Sequence, residues 1–246
     1  MTLVLRYAAR SDRGLVRTNN EDSVYAGARL LALADGMGGH AAGEVASQLV
    51  IAALAHLDDD EPGGDLLGKL EAAVRAGNAE IAAHVEMEPD LEGMGTTLTA
   101  ILFAGNQLGL VHIGDSRGYL WRHDRLHRLT RDHTVAQELA DAGRINPDDV
   151  ESHRLRHVLT RAVGRSGGAV EVEIQHVHLV DGDRVLLCTD GLTDMVSDEG
   201  VAAILAATPG SADACAALLD RALRAGGHDN VTIALARYTI PETAPV

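Results

Sequence analysis

The 246-residue sequence predicts an α+β domain in which antiparallel β-sheets pack together and helices cover the outside. Short apolar runs separated by turn residues form blocks that are typical of hairpin-connected strands. Longer stretches with apolar residues at helical spacing occur in pairs between those blocks. Hydrophobic residues make up 46% of the chain but aromatic residues only 2%, so aliphatic side chains must fill the core.

The predicted elements follow one another without an internal repeat or a linker. The predicted strands span residues 3–8, 30–34, 97–103, 107–113, 119–121, 126–129, 170–179, 184–188 and 231–236. The predicted helices span residues 42–57, 65–85, 136–142, 198–207 and 211–225, and Asn146-Pro147 is typical of a further helix start. We therefore expect a single domain over residues 1–240, with a polar, turn-rich excursion at 132–168 and a frayed tail at 241–246.

The net charge of −15 argues against a nucleic-acid partner, because a duplex binder normally carries a basic face and no basic cluster occurs in the sequence. The acidity fits either general solubility or carboxylates gathered around divalent cations. Two cysteines, Cys188 and Cys215, do not make a disulfide framework.

Targeting signals are the next question. Arg6 and Arg10 interrupt the start of the chain, which argues against a signal peptide. No run approaches the ~20 apolar residues that span a bilayer. We expect a soluble, cytoplasmic protein without a membrane partner, and a monomer.

Acidic residues stand at the ends of several predicted buried strands. Asp35-Gly36 and Asp190-Gly191 each end an apolar run, and Asp229-Asn230 begins one. Glu21-Asp22 lies beside a strand, and Asp115 follows the run that ends at residue 113. Any one of these pairs also fits an ordinary turn. Together they indicate carboxylates gathered at one edge of the fold.

The surroundings of these acids favour a hard divalent cation. Residues 36–43 are richer in glycine than a hairpin requires, which lets backbone carbonyls approach a metal or phosphate. Mn²⁺ and Mg²⁺ prefer carboxylate, carbonyl and water ligands. A zinc site is not indicated, because the two cysteines are far apart and His-Glu-x-x-His does not occur.

Two other phosphate motifs are present only in outline. The segment Gly63–Lys69 resembles a P-loop, but Leu70 stands where a hydroxyl should bind Mg²⁺. Cys215 and Arg221 have the spacing of a cysteine phosphatase, but the residues between them lack the glycines of a phosphate cradle. Cys215 shares an apolar helical face with Leu218, which predicts a core position.

Seven short motifs follow one another along the chain: Ser11-Asp12-x-Gly14-x-Val16-Arg17-x-Asn19-x-Glu21-Asp22, Asp35-Gly36-Met37-Gly38-Gly39-His40, Gly95-Thr96-Thr97, Gly114-Asp115-Ser116-Arg117, Leu129-Thr130-x-Asp132-His133, Thr189-Asp190-Gly191 and Asp229-Asn230-Val231-Thr232. In this order they resemble the PP2C (PPM) family of metal-dependent serine/threonine phosphatases in its bacterial form. The resemblance covers Ser11 to about Arg237 and leaves the tail uncovered.

The resemblance implies an α-β-β-α sandwich of two antiparallel sheets flanked by helix pairs. It implies that Asp35 bridges two Mn²⁺ or Mg²⁺ ions. Asp190 and Asp229 would complete one metal site, while Glu21 and the carbonyl of Gly36 would help complete the other.

Further roles follow from the same resemblance. Asp22 would hold a metal-bound water, and Arg17 would bind the substrate phosphate. Asp115 with Asp190 is similar to the pair that binds a third, weaker metal in bacterial members. The polar excursion at 132–168 matches a variable segment of the family, which we expect to form a mobile flap beside the metals.

The implied reaction is hydrolysis of phosphoserine and phosphothreonine in phosphoproteins by a hydroxide that bridges the two metals. Two cations neutralise the phosphate dianion and lower the pKa of a bridging water towards ~7. An opposing Ser/Thr kinase is implied by family analogy only. A catalytically silent phosphoprotein-binding module and a two-metal phosphodiesterase or small-molecule phosphatase are the alternatives.

One position departs from some eukaryotic members, which carry a histidine as the proposed general acid directly after the Asp-Gly pair. Met37 occupies that position here, so the group that protonates the leaving alkoxide is unassigned. A metal-bound water or His40 could do so. Asp132-His133 could hydrogen-bond near the site or anchor the loop that follows.

Overall fold

The computed structural model describes residues 4–38, 42–60, 64–165 and 173–240. The strands are β1 Val4–Asp12, β2 Asp22–Ala26, β3 Leu30–Met37, β4 Gly95–Thr96, β5 Leu98–Ala104, β6 Gln107–Ile113, β7 Arg117–Arg122, β8 Arg125–Arg128, β9 Glu173–His178, β10 Arg184–Cys188 and β11 Val231–Thr239. The α-helices are α1 Ala42–Ala55, α2 Leu66–Met87, α3 Val135–Asp141, α4 Asp190–Thr193, α5 Asp198–Ala207 and α6 Ser211–Arg224.

The strands form two antiparallel sheets. The first sheet has five strands in the order β1-β11-β10-β7-β8. The second has the order β2-β3-β5-β6-β9, and the short strand β4 pairs with β3. Strand β11 lies between β1 and β10, so the two ends of the chain meet in one sheet.

Side-chain alternation along the strands builds the layers. Leu31 and Leu33 of β3 pack with Leu187 and Ala234 of the other sheet, which forms a core between the sheets. Leu30, on the opposite face of β3, belongs to a second core under α1 and α2. Successive strand residues point to opposite faces, so one apolar strand serves two cores.

A third core lies between the five-stranded sheet and helices α5 and α6. It contains Leu186 and Ile233 from the sheet and Val201, Cys215 and Leu218 from the helices. The predicted α-β-β-α sandwich is therefore confirmed. The prediction that Cys215 is a core residue is also confirmed, since its side chain is fully buried.

Side-chain caps define several helix starts. Asp65 accepts a hydrogen bond from the backbone N–H of Gly68 at the start of α2, and Ser197 does the same for Gly200 at α5. Thr134 caps α3 through the N–H of Gln137. Such caps satisfy N–H groups that a helix leaves unpaired.

The structure differs from the predicted elements in several places, among them the unpredicted short helix α4 and strand β4. Strand β2 was not predicted, although its residue Asp22 had been singled out. The helix expected from Asn146 is only a short 3₁₀ turn over Pro147–Asp149. Of the strand predicted over 170–179, the described part is Glu173–His178. The predicted tail at 241–246 lies outside the described residues.

Among the described helices, none combines the length and apolarity that crossing a bilayer requires.

Candidate metal centre

Strand ends from both sheets bring the predicted carboxylates to one cavity. Its volume is about 1010 Å³. The sequence-predicted site residues that line it are Arg17, Glu21, Asp35, Gly36, Asp115, Asp190 and Asp229. The predicted residue Asp22 is not on the lining; it lies directly opposite Asp35 on the neighbouring strand.

Asp35 lies where the charges of the cluster converge. Burial and the negative charges of Asp22, Asp190, Asp115 and Asp229, in that order, hold the pKa of the Asp35 carboxyl well above its usual range. Because the charges of four other carboxylates act on it, Asp35 lies at the centre of the cluster. A ligand shared between two cations would have to lie there.

The Thr96-Thr97 pair fixes the backbone of Asp35. The hydroxyl of Thr97 lies 2.9 Å from the Asp35 amide nitrogen, and the Thr97 N–H donates to the Asp35 carbonyl at 2.9 Å. The hydroxyl of Thr96 also donates to that carbonyl at 2.9 Å. The Gly95-Thr96-Thr97 motif therefore fixes the backbone of a candidate metal ligand and adds no charged side chain to the site.

Asp22 is almost fully enclosed, and this raises the pKa of its carboxyl to about 7. Hydroxyls of Thr232 and Thr189 act in the opposite direction, while Asp190 and Asp229 raise the pKa further. The hydroxyl of Thr189 donates to one Asp22 oxygen at 3.0 Å. The other oxygen, Oδ1, is buried without a hydrogen-bond partner among the described residues.

Asp190 begins helix α4 directly after β10. Its Oδ1 is likewise buried and without a partner in the described part of the chain. Asp115 is enclosed between β6 and β7, and burial followed by the charge of Asp190 raises the pKa of its carboxyl well above the usual range. Unpaired buried carboxylate oxygens beside other carboxylates are costly unless cations neutralise them. The donor set therefore fits divalent metals with oxygen ligands.

Glycine is required where Glu21 approaches the end of β3. A Cβ on Gly36 would lie 2.0 Å from the carbonyl oxygen of Gly43 and 2.6 Å from that of Glu21. A Cβ on Gly43 would lie 2.3 Å from the Glu21 carboxylate. The side-chain amide of Asn19 donates to the Glu21 carboxylate at 2.8 Å. The described part of the predicted glycine-rich loop thus packs against Glu21, while His40 lies outside the described residues.

Arg17 and Asp229 form an ion pair at the cavity wall. Nη2 of Arg17 lies 2.6 Å from Oδ2 of Asp229, and this pairing raises the pKa of the guanidinium. The other oxygen of Asp229 accepts the backbone N–H of Asn230 at 2.8 Å. The Arg17 side chain is 55% exposed, so a ligand in the cavity can reach it.

The sequence analysis missed His157, which belongs to the predicted flap. Its Nδ1 lies 3.6 Å from Oδ2 of Asp190, and its Nε2 lies 3.3 Å from Oδ2 of Asp194. The contact with Asp190 is the largest cause of the raised pKa of His157. Donor atoms of Asp115, His157 and Asp190 all lie within 4.8 Å of one another, which is compatible with a shared metal ion.

Asp132 and His133 anchor the start of the flap. Asp132 accepts from Nη2 of Arg117 at 2.9 Å and also pairs with Arg128. Nδ1 of His133 accepts the backbone N–H of Gly114 at 3.1 Å, and the His133 N–H donates to the Gly114 carbonyl at 2.8 Å. Of the two roles considered for this pair, these contacts favour loop anchoring. They also show that Arg117 contacts Asp132 rather than acting as a turn partner of Asp115.

Met37, at the position of the missing histidine, lines the cavity. Its Sδ accepts a weak hydrogen bond from Nη1 of Arg165 at 3.5 Å. A thioether cannot deliver a proton, so the structure gives Met37 no acid role.

Comparison with known proteins places this geometry in a family. The sequence model described as "Protein phosphatase 2C" matches residues 9–231. The serine/threonine protein phosphatase PstP of Mycobacterium tuberculosis is 66% identical over 249 residues, which cover 100% of this chain and 48% of PstP. The chain thus spans about half the length of that relative.

Two further similarities cover nearly the whole of both chains. The serine/threonine phosphatase stp of Listeria innocua is 36% identical, over 92% of this chain and 93% of stp. A crystal structure of the PstP catalytic domain in complex with two manganese ions is 66% identical. It superposes with a TM-score of 0.91 over 97% of this chain and 100% of that chain. Because the family model matches residues 9–231 and these relatives share sequence and fold over nearly the whole chain, the chain belongs to the protein phosphatase 2C family.

Proposed function

We propose that this chain hydrolyses phosphoserine and phosphothreonine in phosphoproteins, using divalent cations held by the carboxylate cluster. The observation that carries the proposal is the meeting of Asp35, Asp115, Asp190 and Asp229 at one cavity with Arg17 at its wall. The names of the PstP and stp relatives support the same reaction class.

The residues divide naturally between two cation sites that share Asp35. Asp190 and Asp229 enter from the five-stranded sheet, and Glu21 with the Gly36 carbonyl enters from the other side. Two Mn²⁺ or Mg²⁺ ions held there would neutralise the phosphate dianion and activate water for attack. The structure of the PstP catalytic domain in complex with two manganese ions supports a pair of cations in such a site.

Side chains of this protein then orient the reactants. The unpaired Oδ1 of Asp22 can accept a hydrogen bond from a water molecule, while Thr189 holds the other oxygen in place. Asp229 engages one nitrogen of Arg17, and the guanidinium has further N–H groups for phosphate oxygens. We assign Arg17 to phosphate binding and Asp22 to orienting water.

A third, weaker cation site is proposed at Asp115 and Asp190. His157 supplies a possible nitrogen ligand there, because its ring faces the same two carboxylates. A small cavity of about 110 Å³ adjoins the main one and shares Asp115, His157 and Asp190 with it. His157 comes from the flap, so occupation of this site would depend on the position of the flap.

An opposing Ser/Thr kinase, a role in signalling, the use of Mg²⁺, a cytoplasmic location and a monomeric state stay predictions from the sequence. So does the division into one domain over residues 1–240. The expected position of the flap beside the cavity is supported by the contacts of Arg156 and His157 with Asp194. Its mobility and its extent over residues 132–168, of which 166–168 lie outside the described residues, stay predictions.

Phosphate release from phosphopeptides across a Mn²⁺ titration tests the function. EDTA should abolish hydrolysis and Mn²⁺ or Mg²⁺ should restore it, while Asp190→Ala should be inactive. Cys215→Ser should keep near wild-type activity, because Cys215 lies on the buried face of α6 and burial raises the pKa of its thiol to about 11. Full activity in EDTA, or an inactive Cys215→Ser variant, would contradict the metal mechanism.

The alternatives give other results in the same assay. Faster turnover of nucleotides or cyclic dinucleotides than of phosphopeptides would indicate a phosphodiesterase or small-molecule phosphatase. Phosphopeptide binding without turnover at saturating Mn²⁺ would indicate a silent binding module.

A further inference from the structure

Three arginines form a row across the five-stranded sheet. Arg6 of β1 lies directly opposite Arg237 of β11, and Arg237 lies directly opposite Arg184 of β10. Directly opposite residues share one face of a sheet, with Cβ atoms ~4.5–5.5 Å apart. We call Arg6, Arg237 and Arg184 the arginine row.

The arginine row lies far from the metal centre. Strand β10 runs from Arg184 to Cys188 before it reaches Asp190, so about 13 Å of strand separates the row from the end that bears the metal ligands. Leu186 and Leu235, two residues along from Arg184 and Arg237, belong to the core beneath α5 and α6. The row is therefore on the helix-covered face of the sheet.

Burial increases along the row. Arg6 is exposed and Arg237 is half-buried, while Arg184 is only 4% exposed. The hydroxyl of Ser211 donates to the Arg6 carbonyl at 2.9 Å, so the start of α6 lies beside the open end. The row thus leads from solvent to a buried guanidinium.

The buried guanidinium is only partly satisfied. Nη1 of Arg184 donates to the carbonyl of Leu205, near the end of α5, at 2.7 Å. Nε and Nη2 of Arg184, and Nε of Arg237, are buried without hydrogen-bond partners among the described residues. The hydrogen bond to the end of α5 satisfies one nitrogen of Arg184. Two nitrogens of Arg184 and one of Arg237 therefore remain without a described partner.

Among the described residues, no acid compensates the charge of Arg184. Burial and then the charge of Arg237 lower the pKa of Arg184, and the group that opposes them is the thiol of Cys215. By contrast, the guanidinium of Arg117, which is also buried, pairs with Asp132 at 2.9 Å. Like charges directly opposite on a sheet repel, and an unpaired buried charge is costly.

We propose that the arginine row binds a tetrahedral oxyanion, namely inorganic phosphate. Guanidinium groups present paired N–H donors that match phosphate oxygens, and one anion would satisfy the free nitrogens of Arg184 and Arg237 together. The anion would also remove the repulsion between these two side chains. The site is independent of the proposed catalytic reaction.

Thermal unfolding of the Mg²⁺-loaded full chain tests this site with inorganic phosphate as the probe, at constant ionic strength against chloride. Phosphate should raise the Tm of the wild type by about 2–4 °C more than that of Arg184→Met, with saturation. Binding at the metal centre contributes equally to both proteins, so the difference reports on Arg184. Arg125→Met, which changes an exposed arginine on β8 of the same sheet, should respond like the wild type.

Arginine Nε–H signals in ¹⁵N NMR spectra give a second, direct measurement. The Arg184 signal should shift on phosphate addition, and Arg237→Gln should weaken that shift if Arg184→Met does not fold. Equal Tm increases in wild type and Arg184→Met, or an Arg184 signal that does not shift when phosphate is added, would overturn the proposal. The latter result would indicate that water alone satisfies the row.

Discussion

The buried negative charge of Asp22 destabilises the metal-free fold, and removing that charge should give a measurable gain in stability. The folded-state pKa of about 7 lies above the unfolded value of 3.8. A raised carboxyl pKa means that the folded state holds the proton more tightly. The penalty is therefore absent below the unfolded pKa, develops as the pH rises from about 4 to 7, and is complete above pH ~7.

The size of this penalty follows from the shift. About three pKa units at 1.36 kcal/mol each give an upper limit of about 4 kcal/mol, because part of the Asp22 shift comes from the charges of neighbouring carboxylates. Asp22→Asn removes the charge and keeps an oxygen that can accept from Thr189. In EDTA at pH 8 the variant should therefore be more stable than the wild type by up to about 4 kcal/mol.

Urea unfolding followed by circular dichroism, in EDTA between pH 4 and 8, measures the difference. The advantage of Asp22→Asn should be near zero at pH 4 and grow to its maximum above pH 7. Saturating Mn²⁺ should reduce or reverse it, because cations stabilise the charged wild-type cluster more. Asp124→Asn is a suitable control, since Asp124 is exposed in a turn with φ 58°, a conformation that Asn accepts. A variant that is less stable than the wild type at pH 8 in EDTA, or a difference that ignores pH, would refute the reasoning.

Three further single substitutions and one segment replacement separate the roles around the site. Arg17→Ala should lower kcat/KM on phosphopeptides by roughly 10- to 150-fold with metal affinity intact, because one charged contact to phosphate is worth ~1.5–3 kcal/mol; unchanged kinetics would make Arg17 structural. Replacing residues 143–156 should change peptide preference more than unfolding stability, and the reverse outcome would show that the segment is scaffold. Asp115→Ala should keep two tight cation sites in calorimetric titration yet lose much of its turnover, and His157→Ala should weaken only the third site. Loss of a tight site, or no change in either measurement, would contradict the third-site assignment.

The sequence was informative where local chemistry determines structure. Buried apolar runs such as Leu31–Ala34 mark strands, so an acid that ends such a run lies near the end of a strand. Asp35, Asp190 and Asp229 could be predicted as a cluster on that basis, and the fold brings them to one cavity. Gly36 also pointed to the site, because a side chain at this position would clash with the backbone of Glu21.

Other features depend on contacts that no local pattern records. Strand β2 is short and lies at a sheet edge, with Ser23-Val24-Tyr25 giving little alternation, so pairing with β3 rather than propensity defines it. His157 reaches Asp190 from an irregular segment, and its distance along the chain carries no spacing signal. The two nitrogens of Arg184 that lack hydrogen-bond partners could not be inferred either, because an arginine on a strand usually contacts an acid or solvent.

The candidate metal ligands belong to different layers of the sandwich. Asp190 and Asp229 adjoin strands β10 and β11 of one sheet, while Asp35 lies on strand β3 of the other. A cation held between them is a cross-link between layers whose shared core is otherwise apolar. Chelation should therefore loosen the attachment of one sheet to the other at this end, while hydrogen bonding within each sheet persists. The ions are in this sense part of the tertiary structure, comparable to a reversible staple whose strength follows the concentration of free metal.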